Sequence, residues 1–449
     1  MDNRLMRFRP LLRLVLLLGI VPLLLVPASS PSAKEVGLIR DAEIEHYLYE
    51  LTNPILEAAG LGRNSVDLYI VQDNTLNAFV AGGMNLFINT GLLMRTENSD
   101  QLAGVIAHEV GHIAGGHLSR VPLAAKRATA EMILSALLGA ATAVVGAPEL
   151  GAAIITGGQT YAQSGFMRFN RGQEQAADQA GVTYLDRAGI SSEGLAEFFH
   201  ILEKQNVLAV SSMPPYLQSH PLTRDRINFV ENHVASHPIA EEPPGRALAH
   251  ARMVVKLQAF LGDPRQVLQR YEGDQSLPGR YARAIALYRL PDLDQALAEI
   301  DGLLAEHPDD PYFHELKGQM LFENGRIEAA IDPYRESVRL APNSPLLEIG
   351  LARALVEAGG EERNQEAIGY LDNAMQAEPT NAFGWRLLGI AQGRDGKEGL
   401  SNLSLAEYAL LIGKPEDARL YAHRAEGKID PGDPAWLRLQ DVLRVIEES

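Results

Sequence analysis

The sequence predicts a mainly α protein in two parts: helices with a small β-sheet in the first half, and an α-solenoid of helix pairs in the second. Three observations carry that reading. Apolar residues recur at helical spacing through most of the chain, three short alternating runs interrupt them between 66 and 90, and Pro308 and Pro342 mark a 34-residue period in the second half. At 449 residues and 46% hydrophobic, the chain suits two to three domains with real cores. Its net charge of -17 argues against nucleic acid and for protein partners.

At the start, Arg4, Arg7, Arg9 and Arg13 precede an apolar run from Leu14 to Val26 and small residues from Ala28 to Ala33. That order reads as a secretory signal peptide over residues 1–28, with Val26-Pro27-Ala28 as a plausible cleavage region. The run is short for a bilayer span. Cysteine is absent, which excludes disulfides and thiolate metal ligands and suits an oxidising compartment. The expected destination is a bacterial periplasm.

The first helix is expected over 39–62, with Ile44, Leu48, Leu51, Ile55 and Leu56 on one side and Gly60 at its end. Val66, Leu68 and Ile70 alternate as a strand, Asp73-Asn74 makes a turn, and Asn77 to Val80 and Leu86 to Thr90 are two more strands around Gly82-Gly83. Next comes a helix from Asp100 to Leu118, begun by the capping chemistry of Asn98, Ser99 and Asp100.

On that helix lies His108-Glu109-Val110-Gly111-His112. Residues four apart share a helix face, so both imidazoles can aim at one cation with Glu109 beside them as a base. A catalytic zinc needs a third protein ligand and one open position. The pattern that would place a histidine at 118 fails, because Leu118 stands there; His117 is one residue early and, on a helix, points away. A carboxylate from a second helix is the alternative. Glu174 and Asp178 are also four apart, so one can bind the metal while the other accepts a hydrogen bond from a ligand histidine.

Between these segments, Met132 to Ala147 reads as a buried helical hairpin over the cleft, with peripheral membrane contact as the alternative. Leu150 to Ile155 and a turn at Gly157-Gly158 follow. From Ser191 to Phe229 the pattern is helical, interrupted by Met213-Pro214-Pro215 and by Ser219-His220-Pro221. Arg224 and Arg226 come next, and either can act as a cationic donor to an oxyanion, with Arg226 the one expected to do so. A charged, proline-rich linker spans 239–246, closing a metalloprotease domain of residues 29–238.

From 247 to 449 the chain repeats. Gly318, Ala330 and Tyr334 fall at the small, small and aromatic positions of a tetratricopeptide unit between Pro308 and Pro342. Ala284 and Ala296 belong to the preceding unit, Ala367, Leu371 and Ala374 to the following one, and Ala418, Ala422 and Ala425 to a last, looser pair. Stacked pairs of this kind make a curved solenoid with a concave binding surface.

Ala107 before the histidine pair, then Glu174-x-x-Ala177-Asp178-x-x-Gly181, then Ser219-His220-Pro221 together resemble the peptidase family of the CAAX prenyl proteases and HtpX. The resemblance covers roughly residues 40 to 230 by motif. It implies a gluzincin-type fold, one zinc per chain held by His108, His112 and Glu174, and Glu109 as catalytic base. It also implies a substrate-pairing edge strand near Asn77 to Asn89 and a position for His220 close to the metal; its role there is not fixed by the resemblance, and chemistry offers two, a fourth ligand that latches the site shut or a hydrogen-bond donor in catalysis. With a repeat domain appended, the architecture is similar to that of periplasmic members, which implies an endopeptidase that removes misfolded or stalled envelope proteins and assists outer-membrane protein assembly. Its partners are then unfolded or misassembled envelope proteins and, through the repeats, the outer-membrane assembly machinery. A reading of another class also stands: a repeat-based periplasmic chaperone or scaffold with a latent or structural metal site.

Overall fold

A computed structural model describes residues 37–117, 129, 132–136, 148–208, 215–237 and 242–448. The signal-peptide reading of 1–28 lies outside those residues, as does most of the expected hairpin at 132–147.

Four strands form one sheet in the order β1-β2-β4-β3: β1 is Leu38–Ile39, β2 Asp67–Val71, β3 Ala78–Ala81 and β4 Asn85–Asn89. β3 and β4 make an antiparallel hairpin, while β2 runs parallel to β4 from Asp67↔Asn85 to Val71↔Asn89. Gly82 at φ 59° and Gly83 at φ 101° supply the left-handed backbone that a tight hairpin needs, and the Asn85 side chain donates to the Ala81 carbonyl across it. Alternation gives the sheet two faces. Val80, Leu86 and Ile88 enter the core, and Tyr69, Phe87 and Phe79 stack on the opposite face at 4.9 and 5.0 Å between neighbouring rings. β1, two residues long, is an element that the apolar pattern did not reveal.

Helix α1 spans Ala42–Ala58, α2 Thr90–Leu93 and α3 Ser99–Ala114. The Asn98 side chain caps α3 by accepting from the Gln101 amide, and α3 is buried on nearly all sides from Gln101 to His112. α4 runs from Pro148 to Ala188, α5 from Glu193 to Leu208, α6 from Pro215 to Ser219 and α7 from Arg224 to Ser236. The turn expected at Gly157-Gly158 does not form: α4 continues through it for 41 residues. A helical glycine costs about 1 kcal/mol relative to alanine, too little to break a helix otherwise anchored along its length.

Helix α8, Pro244–Leu261, begins inside the stretch read as linker. Its Met253 and Leu257 join the core of the sheet and α3, while its Val255 and Ala259 pack with Tyr281, Ile285 and Ile300 further along the chain. Antiparallel pairs then follow, among them Leu277–Arg289 with Leu293–Glu306, Pro311–Glu323 with Ile327–Leu340, and Pro345–Ala358 with Glu361–Ala377. The repeat positions are where the period requires small residues: Ala284, Ala296, Ala330, Ala367 and Ala374 are fully buried, and the Tyr334 ring lies against Gly318.

Candidate metal centre

α3 and α4 touch at glycines, and this closeness makes the site. A Cβ on Gly111 would stand 2.8 Å from the Ala177 carbonyl oxygen, and one on Gly181 would stand 3.3 Å from the Ala107 carbonyl carbon. With the backbones that close, the side chains of His108 and His112 reach those of Glu174 and Asp178 directly.

One ligand atom from each of His108, His112, Glu174 and His220 lies within 4.8 Å of all the others, and all four residues are buried. His108 Nε2 and His112 Nε2 are 3.1 Å apart, and each lies 3.4 Å from a Glu174 carboxylate oxygen. Atoms that share a tetrahedral zinc at its usual bond lengths stand about 3.4 Å from one another, so the spacing fits that ion. The outward nitrogens are held as well. His108 Nδ1 is 2.9 Å from Asp178 Oδ1, which as a carboxylate accepts a hydrogen bond from Nδ1–H and so turns Nε2 toward the cluster. His112 Nδ1 is 2.9 Å from His117 Nδ1. The expectation that His117 points away is therefore only half correct: it stands outside the four-residue cluster but abuts one member of it, His112. The helix ends at Gly115, and Gly116 at φ 60° turns the chain back, so helical angles do not extend to position 117.

Electrostatics agrees with a cation. Burial disfavours charge on His108, yet hydrogen bonds and attraction from Asp178 and Glu174 outweigh it and lift the imidazole to about 9. The carboxylates thus hold a proton where a metal would sit. Glu174 is pulled far below the usual carboxylate range, because its contacts with His108, His112 and His220 exceed the cost of its burial. Arg226 fixes both acids: its Nε donates to Asp178 at 2.6 Å, and its Nη1 lies 3.0 Å from Glu174. Arg224 is largely exposed and pairs with Glu203 at 2.8 Å, so Arg226 is the arginine that reaches the site.

Glu109 is fully buried, and neither carboxylate oxygen has a hydrogen-bond partner. Burial pushes it up to about 7. The nearest basic nitrogen is His220 Nε2 at 3.5 Å, while His220 Nδ1 faces Glu174 at 3.2 Å. Tyr216, a residue the motif reading missed, packs its ring 4.6 Å from that of His220 and buries a hydroxyl without a partner. Its place one helical turn before His220 on α6 was the available signal.

A helix-borne histidine pair, a glutamate from a neighbouring helix and an unpartnered buried carboxylate between them define a metallopeptidase centre. Residues 41–234 match Peptidase family M48 and residues 281–345 match a tetratricopeptide repeat, so the chain carries an M48 metallopeptidase domain followed by tetratricopeptide repeats. It is 27% identical over 424 residues to a protein of Yersinia pestis named beta-barrel assembly-enhancing protease, covering 92% of this chain and 85% of that one. The protein of the same name from Escherichia coli (strain K12) is 24% identical over 421 residues, with the same coverage of 92% and 85%. The metalloprotease LoiP of Escherichia coli (strain K12) is 28% identical over 173 residues, 38% of this chain and 63% of its own length.

Proposed function

We propose that the chain is an exported zinc endopeptidase of the envelope, with His108, His112 and Glu174 as ligands, Glu109 as base and a division at about residues 239–246 between catalytic and repeat parts. The observation that carries this is the convergence of three metal-ligand side chains beside a buried carboxylate that bonds to nothing. A structural metal site has no use for such a group; a hydrolytic one does. Zinc, when bound, supplies Lewis acidity and an acidified water. Glu109 accepts the proton of the attacking water and returns it to the leaving amine. Asp178 keeps His108 in the tautomer that presents Nε2, and Arg226 holds Asp178 and Glu174 in place; its two carboxylates occupy it, which makes it a positioning residue rather than an oxyanion donor.

Among the described residues β3 is an edge strand, paired only with β4, and it lies against α3. It offers backbone groups to an extended polypeptide, a mode that tolerates many sequences and suits misfolded substrates. His220 completes a four-donor cluster, and this favours the latch: a fourth protein ligand occupies the position that water needs. The names of the two long relatives place them at β-barrel assembly, and this chain aligns with them through the repeats as well as the catalytic part, so we assign it the same setting. Stalled outer-membrane proteins are then its substrates and their assembly machinery its partner. Among the described residues no helix is long and apolar enough to cross a membrane.

The test is degradation of casein or an unfolded outer-membrane protein by the purified chain, with and without chelator, beside Glu109→Gln. Activity that is lost to chelator and falls on the order of a hundredfold or more in Glu109→Gln, with zinc content unchanged, supports the reading. Undiminished cleavage by Glu109→Gln overturns it.

A further inference from the structure

A second cluster of metal-binding groups shares α4 with the first and draws its histidines from the end of α7. His233 and His237 are four residues apart at the end of α7, and Asp186 is near the end of α4. Their ligand atoms all fall within 4.8 Å of one another. His233 Nε2 is 2.9 Å from Asp186 Oδ2, and His237 Nε2 is 3.9 Å from that same oxygen. The two imidazoles stack with centroids 4.0 Å apart and planes 12° from parallel, so both ring edges present Nε2 to one carboxylate.

The tautomer of His237 is fixed by its surroundings. Its Nδ1 is 2.9 Å from the His233 carbonyl oxygen, which can only accept, so Nδ1–H donates to it and Nε2 is the nitrogen turned toward Asp186. A backbone carbonyl on the outward nitrogen is what ligating histidines commonly have. His233 is mostly buried, Asp186 partly exposed and His237 half exposed, which leaves the outer side of the cluster to water.

We infer that Asp186, His233 and His237 form a second metal site for a borderline divalent cation such as Zn2+, Cu2+ or Ni2+. Two imidazole nitrogens and one carboxylate oxygen are the donor set such ions prefer over Mg2+ or Ca2+. Binding replaces the proton that His233 shares with Asp186, and solvent fills the remaining positions. The site sits eight residues beyond Asp178 on α4 and seven beyond Arg226 on α7, roughly 12 Å along the first helix and roughly 10 Å along the second. A cation there ties together, a second time, the two helices already joined by the Asp178–Arg226 pair. Its role is therefore a clamp that keeps Arg226 in register with Glu174 and Asp178, with no part in bond cleavage.

The experiment separates this site from the catalytic one by difference. The full chain, stripped with chelator and dialysed against micromolar Zn2+, is assayed for bound metal, beside His233→Gln/His237→Gln and, separately, His108→Gln/His112→Gln. The surface pair of substitutions should remove about one equivalent of zinc, and the catalytic pair should leave about one behind. In the catalytic variant Zn2+ should still raise the thermal midpoint, and adding Asp186→Asn should abolish that shift. An unchanged zinc content in His233→Gln/His237→Gln overturns the inference, whatever becomes of proteolysis. So does a catalytic variant whose midpoint ignores Zn2+.

Discussion

Asp178 and Glu174 show how two identical-looking acids divide one task. From sequence they share a helix face, and either could bind the metal. In the structure Glu174 faces both histidine Nε2 atoms, while Asp178 faces only His108 Nδ1 and Arg226. Asp178→Asn keeps an acceptor for Nδ1–H but removes the charge that Arg226 and His108 balance, so zinc affinity should fall roughly ten- to a hundredfold by chelator competition. Unaltered affinity would show that the ligand histidine needs no charged partner. His220→Ala tests the latch in the same cluster: a freed position should raise basal cleavage and self-cleavage. A drop in proteolysis at constant zinc content would instead make His220 a donor to the reaction. That His108, Glu109 and His112 share one buried helix was legible in the sequence from their spacing. The place of His117 beside His112 was not, because that contact depends on where the helix ends, and Tyr216 was passed over although it stands one helical turn before His220.

At the scale of elements, the glycines between helices decide whether the ligands meet. Gly111 is wedged against the backbone of Ala177, so Gly111→Ala must push α3 and α4 apart by several tenths of an ångström. Gly172→Ala, on the same α4 with nothing within 4 Å of the new methyl, is the control and should be neutral or stabilise by up to about 1 kcal/mol. Zinc retention should therefore fall in Gly111→Ala and hold in Gly172→Ala; equal retention in both would mean that helix spacing does not set the site. The helix carrying the histidines and the three longer strands could be read in advance, since burial on one face imposes a period on the sequence. The parallel pairing of β2 with β4 could not, because period-two alternation is the same for either direction. Nor could the passage of α4 through Gly157-Gly158, where the local preference of glycine is overruled by a helix anchored far away at Glu174 and Asp178.

For the whole molecule, the question is what fastens the catalytic part to the repeats, and the answer lies in a buried set of charges. Glu43, in the first turn of α1, is ion-paired with Arg252 Nε at 2.6 Å and Lys256 Nζ at 3.1 Å, both from α8, and accepts a hydrogen bond from the Tyr281 hydroxyl at 2.8 Å. Arg252 also pairs with Asp310, and Lys256 lies 2.8 Å from Asp41, so α1, α8 and the repeat helices share one ionic knot. Arg40 adds a pair with Glu378 at 2.8 Å, deeper into the repeats. Ala42 belongs to the same buried apolar cluster as Leu321, Leu347 and Trp385, so the start of α1 adjoins the core of the repeats. Breaking such a knot by removing one acid leaves two buried cations short of a partner, which costs about 3–5 kcal/mol. Glu43→Gln should thus unfold at lower denaturant concentration at neutral pH. The pH dependence distinguishes lost charge from lost packing. Burial pushes the Glu43 carboxyl up, but Lys256 and Arg252 more than reverse it, and its folded value lies below the ordinary one. Its stabilisation is therefore complete above about pH 4.5 and disappears as acid carries the pH down through the folded value. The gap in stability between the parent chain and Glu43→Gln should be widest near pH 7 and close progressively below pH 4.5. A gap that stays constant on acidification would assign the loss to packing, and the charge knot would not be what holds the two parts together.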